Sequence, residues 1–111
     1  MRDEEFLRNK VPMTKSEVRA ISIDKLDLSN KKSMLDVGAG TGSISIQAAR
    51  EFKQLAVTAV EMNPDGIDII QQNINKFGLN NIKLIQGTAP ADIPDQKYDA
   101  IFVGGSGAHL N

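Results

Sequence analysis

The chain has 111 residues, 41% hydrophobic and 24% charged, which describes a single ordinary globular domain rather than a disordered or fibrous one. Thirteen Lys and Arg against fourteen Asp and Glu give a formal net charge of −1, so no global charge excess points to nucleic acid or an acidic membrane surface. The absence of Cys excludes a disulfide scaffold, a thiolate metal centre and a thiol nucleophile, and it fits a reducing, cytoplasmic location.

MRDEEFLRNK lacks an apolar core and does not read as a signal peptide. No run reaches the roughly 18–20 apolar residues of a membrane-spanning helix, so no membrane partner is expected. Thr14-Lys15-Ser16-Glu17 reads as a capping box in which the Thr14 hydroxyl takes a free helix N–H. In the helix that follows, Val18, Ile21 and Leu28 are spaced for the buried face, with Leu26 on its flank. Met34–Val37 is a short apolar strand running into Gly38-Ala39-Gly40-Thr41-Gly42. A helix then repeats Ile44, Ala48 and Phe52 every four residues. Leu55–Val60 is nearly all apolar, as in a parallel strand covered on both faces, and Glu61 closes it.

Asn63-Pro64-Asp65 starts the next helix, with Asn as cap, Pro at the first position and an acid in the first turn. Ile67, Ile70, Ile74 and Phe77 follow at helical spacing, and Gly78 is the stop. Ile82–Ile85 is a third strand, Pro90 and Pro94 punctuate a loop, and Tyr98–Val103 is a fourth strand ending in Gly104-Gly105-Ser106-Gly107. The alternation predicts a doubly wound α/β fold with a parallel sheet and right-handed crossovers.

Ligands of open parallel sheets bind outside the carboxyl ends of the strands. Four features converge there: the glycine loop, Glu61, Gly87-Thr88-Ala89 and Gly104–Gly107. The loop reads G-x-G-x-G with Ser at position 43, departing from the G-x-G-x-x-G/A spacing of dinucleotide sites. Asp36 lies two residues before the first glycine. A carboxylate there is adverse beside a diphosphate but suits the cationic sulfonium and α-ammonium of S-adenosylmethionine, which is the expected cofactor. Glu61 stands where an acid accepts hydrogen bonds from ribose hydroxyls.

Leu-Asp-Val-Gly-Ala-Gly-Thr-Gly (35–42) with Ala-Val-Glu (59–61) resembles motif I and the acidic motif of class I S-adenosylmethionine-dependent methyltransferases. Val-Pro-Met-Thr-Lys-Ser-Glu-Val-Arg-Ala (11–20) and Ile-Phe-Val-Gly-Gly-Ser-Gly (101–107) resemble the opening and a strand end of the decarboxylating precorrin C15-methyltransferases of cobalamin biosynthesis. That family usually continues Gly-Asn-Leu, where this chain has Ala108-His109-Leu110.

The resemblance implies a Rossmann-like, three-layer methyltransferase fold. It places Gly38, Ala39, Gly40, Thr41 and Gly42 around the methionine portion of the cofactor and Asp36 near its ammonium. Glu61 falls on the ribose, Met62 over the adenine, Thr88 and Ala89 at the adenine edge, and Thr14 across the mouth. It implies methyl transfer to C15 of a precorrin or cobalt-precorrin, with loss of CO2 from the ring C acetate. Because that substrate carries many carboxylates, Lys10, Lys15 and Arg19 are candidates to face it, with Gly104, Gly105 and Ser106. Lys15 and Arg19 are four apart, on one helix face. The macrocycle can supply and absorb electrons itself, so no general base is required and no catalytic residue is assigned. His109, the only imidazole, reads as a solvated loop residue, and no metal site is expected.

A methyltransferase acting on RNA or protein, an NAD(P)-linked oxidoreductase and a binding-only fragment are the competing readings. The resembling fold has seven strands in the order 3-2-1-4-5-7-6, of which this chain carries four. A fourth strand left without its neighbour is an apolar edge. The chain is therefore expected to be part of a longer domain, holding much of the cofactor half-site but lacking much of the substrate pocket, and to self-associate or be marginally stable.

Overall fold

The four apolar runs become strands β1 (Ser33–Val37), β2 (Ala56–Glu61), β3 (Ile82–Gln86) and β4 (Ala100–Val103) in a computed structural model that describes residues 1–104. All three pairings are parallel and the sheet order is β3-β2-β1-β4, the order expected for the first four strands. Among the described residues three α-helices accompany them: α1 (Ser16–Leu26), α2 (Ser43–Glu51) and α3 (Pro64–Phe77).

Register decides which face is covered. Met34 lies level with Val57 and Ala100, and Val57 with Ile82, so these side chains share one face. Ile23 of α1 and Ile44, Ala48 and Ala49 of α2 pack on Met34, Val57 and Ala100. Ile70 and Ile74 of α3 join Ile46 and Phe6 in a second cluster against Ile82 and Leu84. All three helices of the described residues thus lie on the same face, so these residues hold two of the three layers expected of the doubly wound fold. The other face carries Leu35, Thr58 and Val60, all buried, and Ile101 and Val103, which are 56% and 54% exposed. No helix covers it among the described residues, because the β3–β4 connection carries Pro90 and Pro94 within a run of turns.

Helix α3 forms as its sequence indicates. Asn63 Oδ1 accepts from Asp65 N at 2.9 Å, Pro64 occupies the first position, and Gly78 closes the helix in the left-handed region. Strand β4 starts two residues later than its apolar run. Asp99 is spent on a clasp to β1: its Oδ2 accepts from Lys32 N and Ser33 N at 2.8 and 3.3 Å, and its own N–H donates to Ser33 Oγ at 2.9 Å.

Helix α1 differs from expectation in both cap and face. Its N-cap is Lys15, with no side-chain cap bond, and the Glu17 carboxylate accepts from Ser16 Oγ, so the Thr14–Glu17 capping box does not form. Val18 and Ile21 point outwards, 52% and 59% exposed. The buried positions are Arg19 and Ile23, while Leu28 is buried in the 3-10 turn beyond the helix. The reason is a strap, residues 1–15, whose carbonyls and one carboxylate meet the Arg19 guanidinium and draw that residue inward. Arg19 therefore does not face a substrate, and it does not share an exposed face with Lys15.

Candidate functional site

The carboxyl end of β1 runs into a backbone cradle. Gly38 N and Ala39 N donate to Val60 O at 2.9 and 3.1 Å, and Gly42 N donates to Ala39 O at 2.8 Å. Two glycines are required by close approach. Gly42 has φ +73°, and a Cβ there would stand 2.6 Å from Ile70 Cγ1. Gly38 has φ +70°, and its Cβ would stand 2.9 Å from Gly104 O. Gly104 N in turn donates to Val37 O at 2.9 Å, so the end of β4 closes directly against the start of the loop.

Glu61, 8% exposed, ties the loop to α3. Its Oε1 accepts from Gly40 N at 2.7 Å and its Oε2 from Asn63 N at 2.9 Å. A carboxylate oxygen accepts two hydrogen bonds, so each oxygen keeps one acceptor direction for an incoming hydroxyl. Gly66, absent from the sequence-derived site, completes this corner. A Cβ on it would stand 2.7 Å from Gly40 O and 2.9 Å from Glu61 Cγ. The available signal was a glycine in the first turn of a helix, where Ala is the better helix former.

Asp36 lies below the loop, 1% exposed. Ser45 Oγ, on α2, donates to its Oδ2 at 2.6 Å, and its Oδ1 has no hydrogen-bond partner among the described residues. Burial pushes its carboxyl up to about 6, opposed by the Ser45 hydrogen bond and reinforced by the negative charge of Glu61. A buried acceptor left open costs free energy that a cationic donor would recover.

The remaining positions fall around this centre. Gly87 N donates to Glu61 O at 3.0 Å, bringing the end of β3 to the rim, and the exposed Thr88 donates its N–H to Asp92 Oδ2 at 2.9 Å. Ala89 is exposed beside it, and Met62, next to Glu61, is 66% exposed. Met13, just before Thr14, and Ala39 of the glycine loop pack against the same apolar cluster. The Lys10 side chain is 80% exposed and pairs with Asp65 at 3.1 Å. Gly105, Ser106 and His109 lie outside the described residues. Two concavities of about 440 and 310 Å³ lie elsewhere, one between α1 and α2 and one at the C-terminal end of α3, and no rim residue lines either. The rim itself offers backbone donors and two carboxylates. Among the described residues no cluster of three or more His, Asp or Glu could hold a metal ion.

A parallel β3-β2-β1-β4 sheet, a glycine loop after β1 and an acid closing β2 define the Rossmann-like class I methyltransferase fold. A Thiobacillus denitrificans S-adenosylmethionine-dependent methyltransferase, solved with S-adenosyl-L-homocysteine, shares that fold at TM-score 0.73 and 24% identity, over 94% of this chain and 42% of its own. The sequence profile of the precorrin methyltransferase domain matches residues 5–110, and the chain belongs to that family. The cobalt-precorrin-6B C(15)-methyltransferase (decarboxylating) of Salmonella typhimurium is 50% identical over 111 residues, covering 99% of this chain and 57% of the relative. The probable enzyme of that name from Methanocaldococcus jannaschii is 36% identical, over 94% of this chain and 56% of its own length. The solved precorrin-6y C5,15-methyltransferase of Geobacter metallireducens superposes with TM-score 0.84 at 39% identity, over 99% of this chain and 58% of its own. The chain thus spans somewhat more than half the length of these precorrin methyltransferase relatives.

Proposed function

We propose that the rim binds S-adenosylmethionine and that the chain serves a methyltransferase acting on C15 of a precorrin or cobalt-precorrin, with loss of CO2 from the ring C acetate. The observation that supports this most is the pairing of two carboxylates around one glycine loop. Asp36 is buried with an open acceptor, and Glu61 is anchored to the loop with acceptor capacity to spare.

S-adenosylmethionine supplies an activated methyl on a sulfonium. The work of the chain is orientation. Asp36 Oδ1 is matched to an α-ammonium, and the Glu61 oxygens to two ribose hydroxyls. Gly38, Ala39, Gly40, Thr41 and Gly42 let the methionine portion lie along the backbone. Met62 offers an apolar surface to the adenine, and Thr88 and Ala89 border its edge. Thr14, whose hydroxyl does not cap α1, would lie across the mouth. Lys10 and Lys15 are the exposed cations left to face substrate carboxylates once Arg19 is withdrawn.

Isothermal titration of the chain with S-adenosylhomocysteine and, separately, with NAD tests the cofactor. Saturable binding of the first with little heat from the second is expected, and preferential NAD binding overturns it. We further infer that copies associate at β4, whose Ile101 and Val103 are exposed on the face that no described helix covers. A strictly monomeric species in light scattering at high concentration would refute this. Among the described residues no helix is long and apolar enough to cross a membrane. With no cysteine to oxidise, a cytoplasmic setting suits the chain.

A further inference from the structure

A fully buried guanidinium holds both ends of the N-terminal strap. Arg19 is 0% exposed, and such a group is tolerated only where its donors are met. Its Nε donates to Gln47 Oε1 at 3.0 Å, and one terminal nitrogen donates to Asp3 Oδ1 and Thr14 O at 2.7 and 2.5 Å. The other donates to Met1 O at 2.7 Å, and the guanidinium carbon lies 4.8 Å from the centre of the Phe6 ring. Met1 and Asp3 open the strap, Thr14 ends it, and Gln47 belongs to α2, the helix that leaves the glycine loop.

Between these ends the strap follows the site. Leu7 N donates to Asn73 Oδ1 at 2.8 Å, and Asn73 Nδ2 donates back to Leu7 O at 3.0 Å. Asn9 Nδ2 donates to Asp65 O at 2.9 Å, immediately beside Gly66, where a Cβ would stand 2.7 Å from Gly40 O. Met13 then reaches the apolar cluster that Ala39 also borders. Residues 9–14 therefore run from the start of α3 to the apolar cluster that the glycine loop also borders, and the guanidinium fixes where they stop.

We infer that Arg19 is a positioning residue for the cofactor rim: it holds residues 9–14 as a wall of the site without touching what binds there. This rests on the rim being an S-adenosylmethionine site. A merely structural Arg19 would lower thermal stability and leave the folded fraction binding normally. A positioning Arg19 changes affinity in the folded protein.

The test uses the whole 111-residue chain, with Arg19→Met and Arg19→Lys, titrated with S-adenosylhomocysteine at a temperature where circular dichroism shows each folded. Roughly tenfold weaker binding is expected for Arg19→Met, in line with losses on removing groups that orient a binding shell, and a smaller loss for Arg19→Lys. Hydrogen exchange at residues 9–14 should quicken in both variants with no ligand present. Binding equal to wild type, or unchanged exchange in that segment, overturns the inference. Should Arg19→Met not fold, Arg19→Lys decides by the same two readouts. A wild-type chain that does not bind S-adenosylhomocysteine overturns the cofactor reading instead, and the exchange arm still reports on the strap.

Discussion

Replacing Asp36 by Asn should make the unliganded protein more stable and its cofactor site weaker. The carboxyl rises from 3.8 to about 6 on folding, chiefly by burial. Between those values the folded chain binds more protons than the unfolded one, so stability falls as pH rises from about 4 to about 6 and the deficit persists above. Two units correspond to about 3 kcal/mol. Asn is nearly isosteric, carries no charge to desolvate, and still offers Ser45 Oγ an acceptor. At pH 7.5 Asp36→Asn should therefore gain up to about 3 kcal/mol, less whatever its unpartnered amide costs. Near pH 4, where Asp36 is protonated in the folded state, the two proteins should be alike. Urea denaturation at pH 4, 5, 6 and 7.5 reads the difference directly. S-adenosylhomocysteine titration should show binding weaker by on the order of tenfold or more, since a hydrogen bond to a charged group contributes about 1.5–3 kcal/mol. A variant less stable than wild type at pH 7.5, or a stability difference that does not change with pH, would refute the reasoning.

Glu61→Gln leaves an amide nitrogen facing either Gly40 N or Asn63 N. It should cost about 1–3 kcal/mol in urea denaturation and weaken S-adenosylhomocysteine binding, and full retention of both speaks against the tie. Gly42→Ala combines a positive φ with a Cβ 2.6 Å from Ile70 Cγ1 and should destabilise by about 1–3 kcal/mol or more. A thermal midpoint at the wild-type value would contradict that geometry. Asn63→Ala removes the α3 cap and should cost about 1 kcal/mol while its backbone N–H still serves Glu61, so titration should find nearly wild-type affinity.

Strands and two of the three helices were legible because their signals are local. The apolar runs of β1 and β2, the Asn63–Pro64 start and the Gly78 stop need no distant partner to be read. The rim was legible for the same reason: its glycines and Glu61 stand at strand ends. The inward face of helix α1 was not legible because its inward residue is polar. Arg19 is buried by acceptors at Met1, Asp3 and Thr14 and by Gln47, 28 positions away, and hydrophobic spacing carries no record of them. Asn73 was missed on the same grounds, since its buried amide answers Leu7 from 66 residues away. Gly66 was hidden because its role is the absence of a side chain against Gly40 and Glu61.

The Asp99–Ser33 clasp has a kinetic side. Strand β4 pairs with β1 alone among the described strands, is four residues long, and closes a loop of more than sixty residues from β1 without a helix of its own to carry it. Closing such a loop is entropically costly. The reciprocal bonds at the amino ends let β4 dock from Asp99 and zip towards Gly104. Its amides should be the first of the sheet to exchange in native-state hydrogen exchange. Each such opening carries Gly104 away from Gly38, so the rim would breathe at the same frequency as β4.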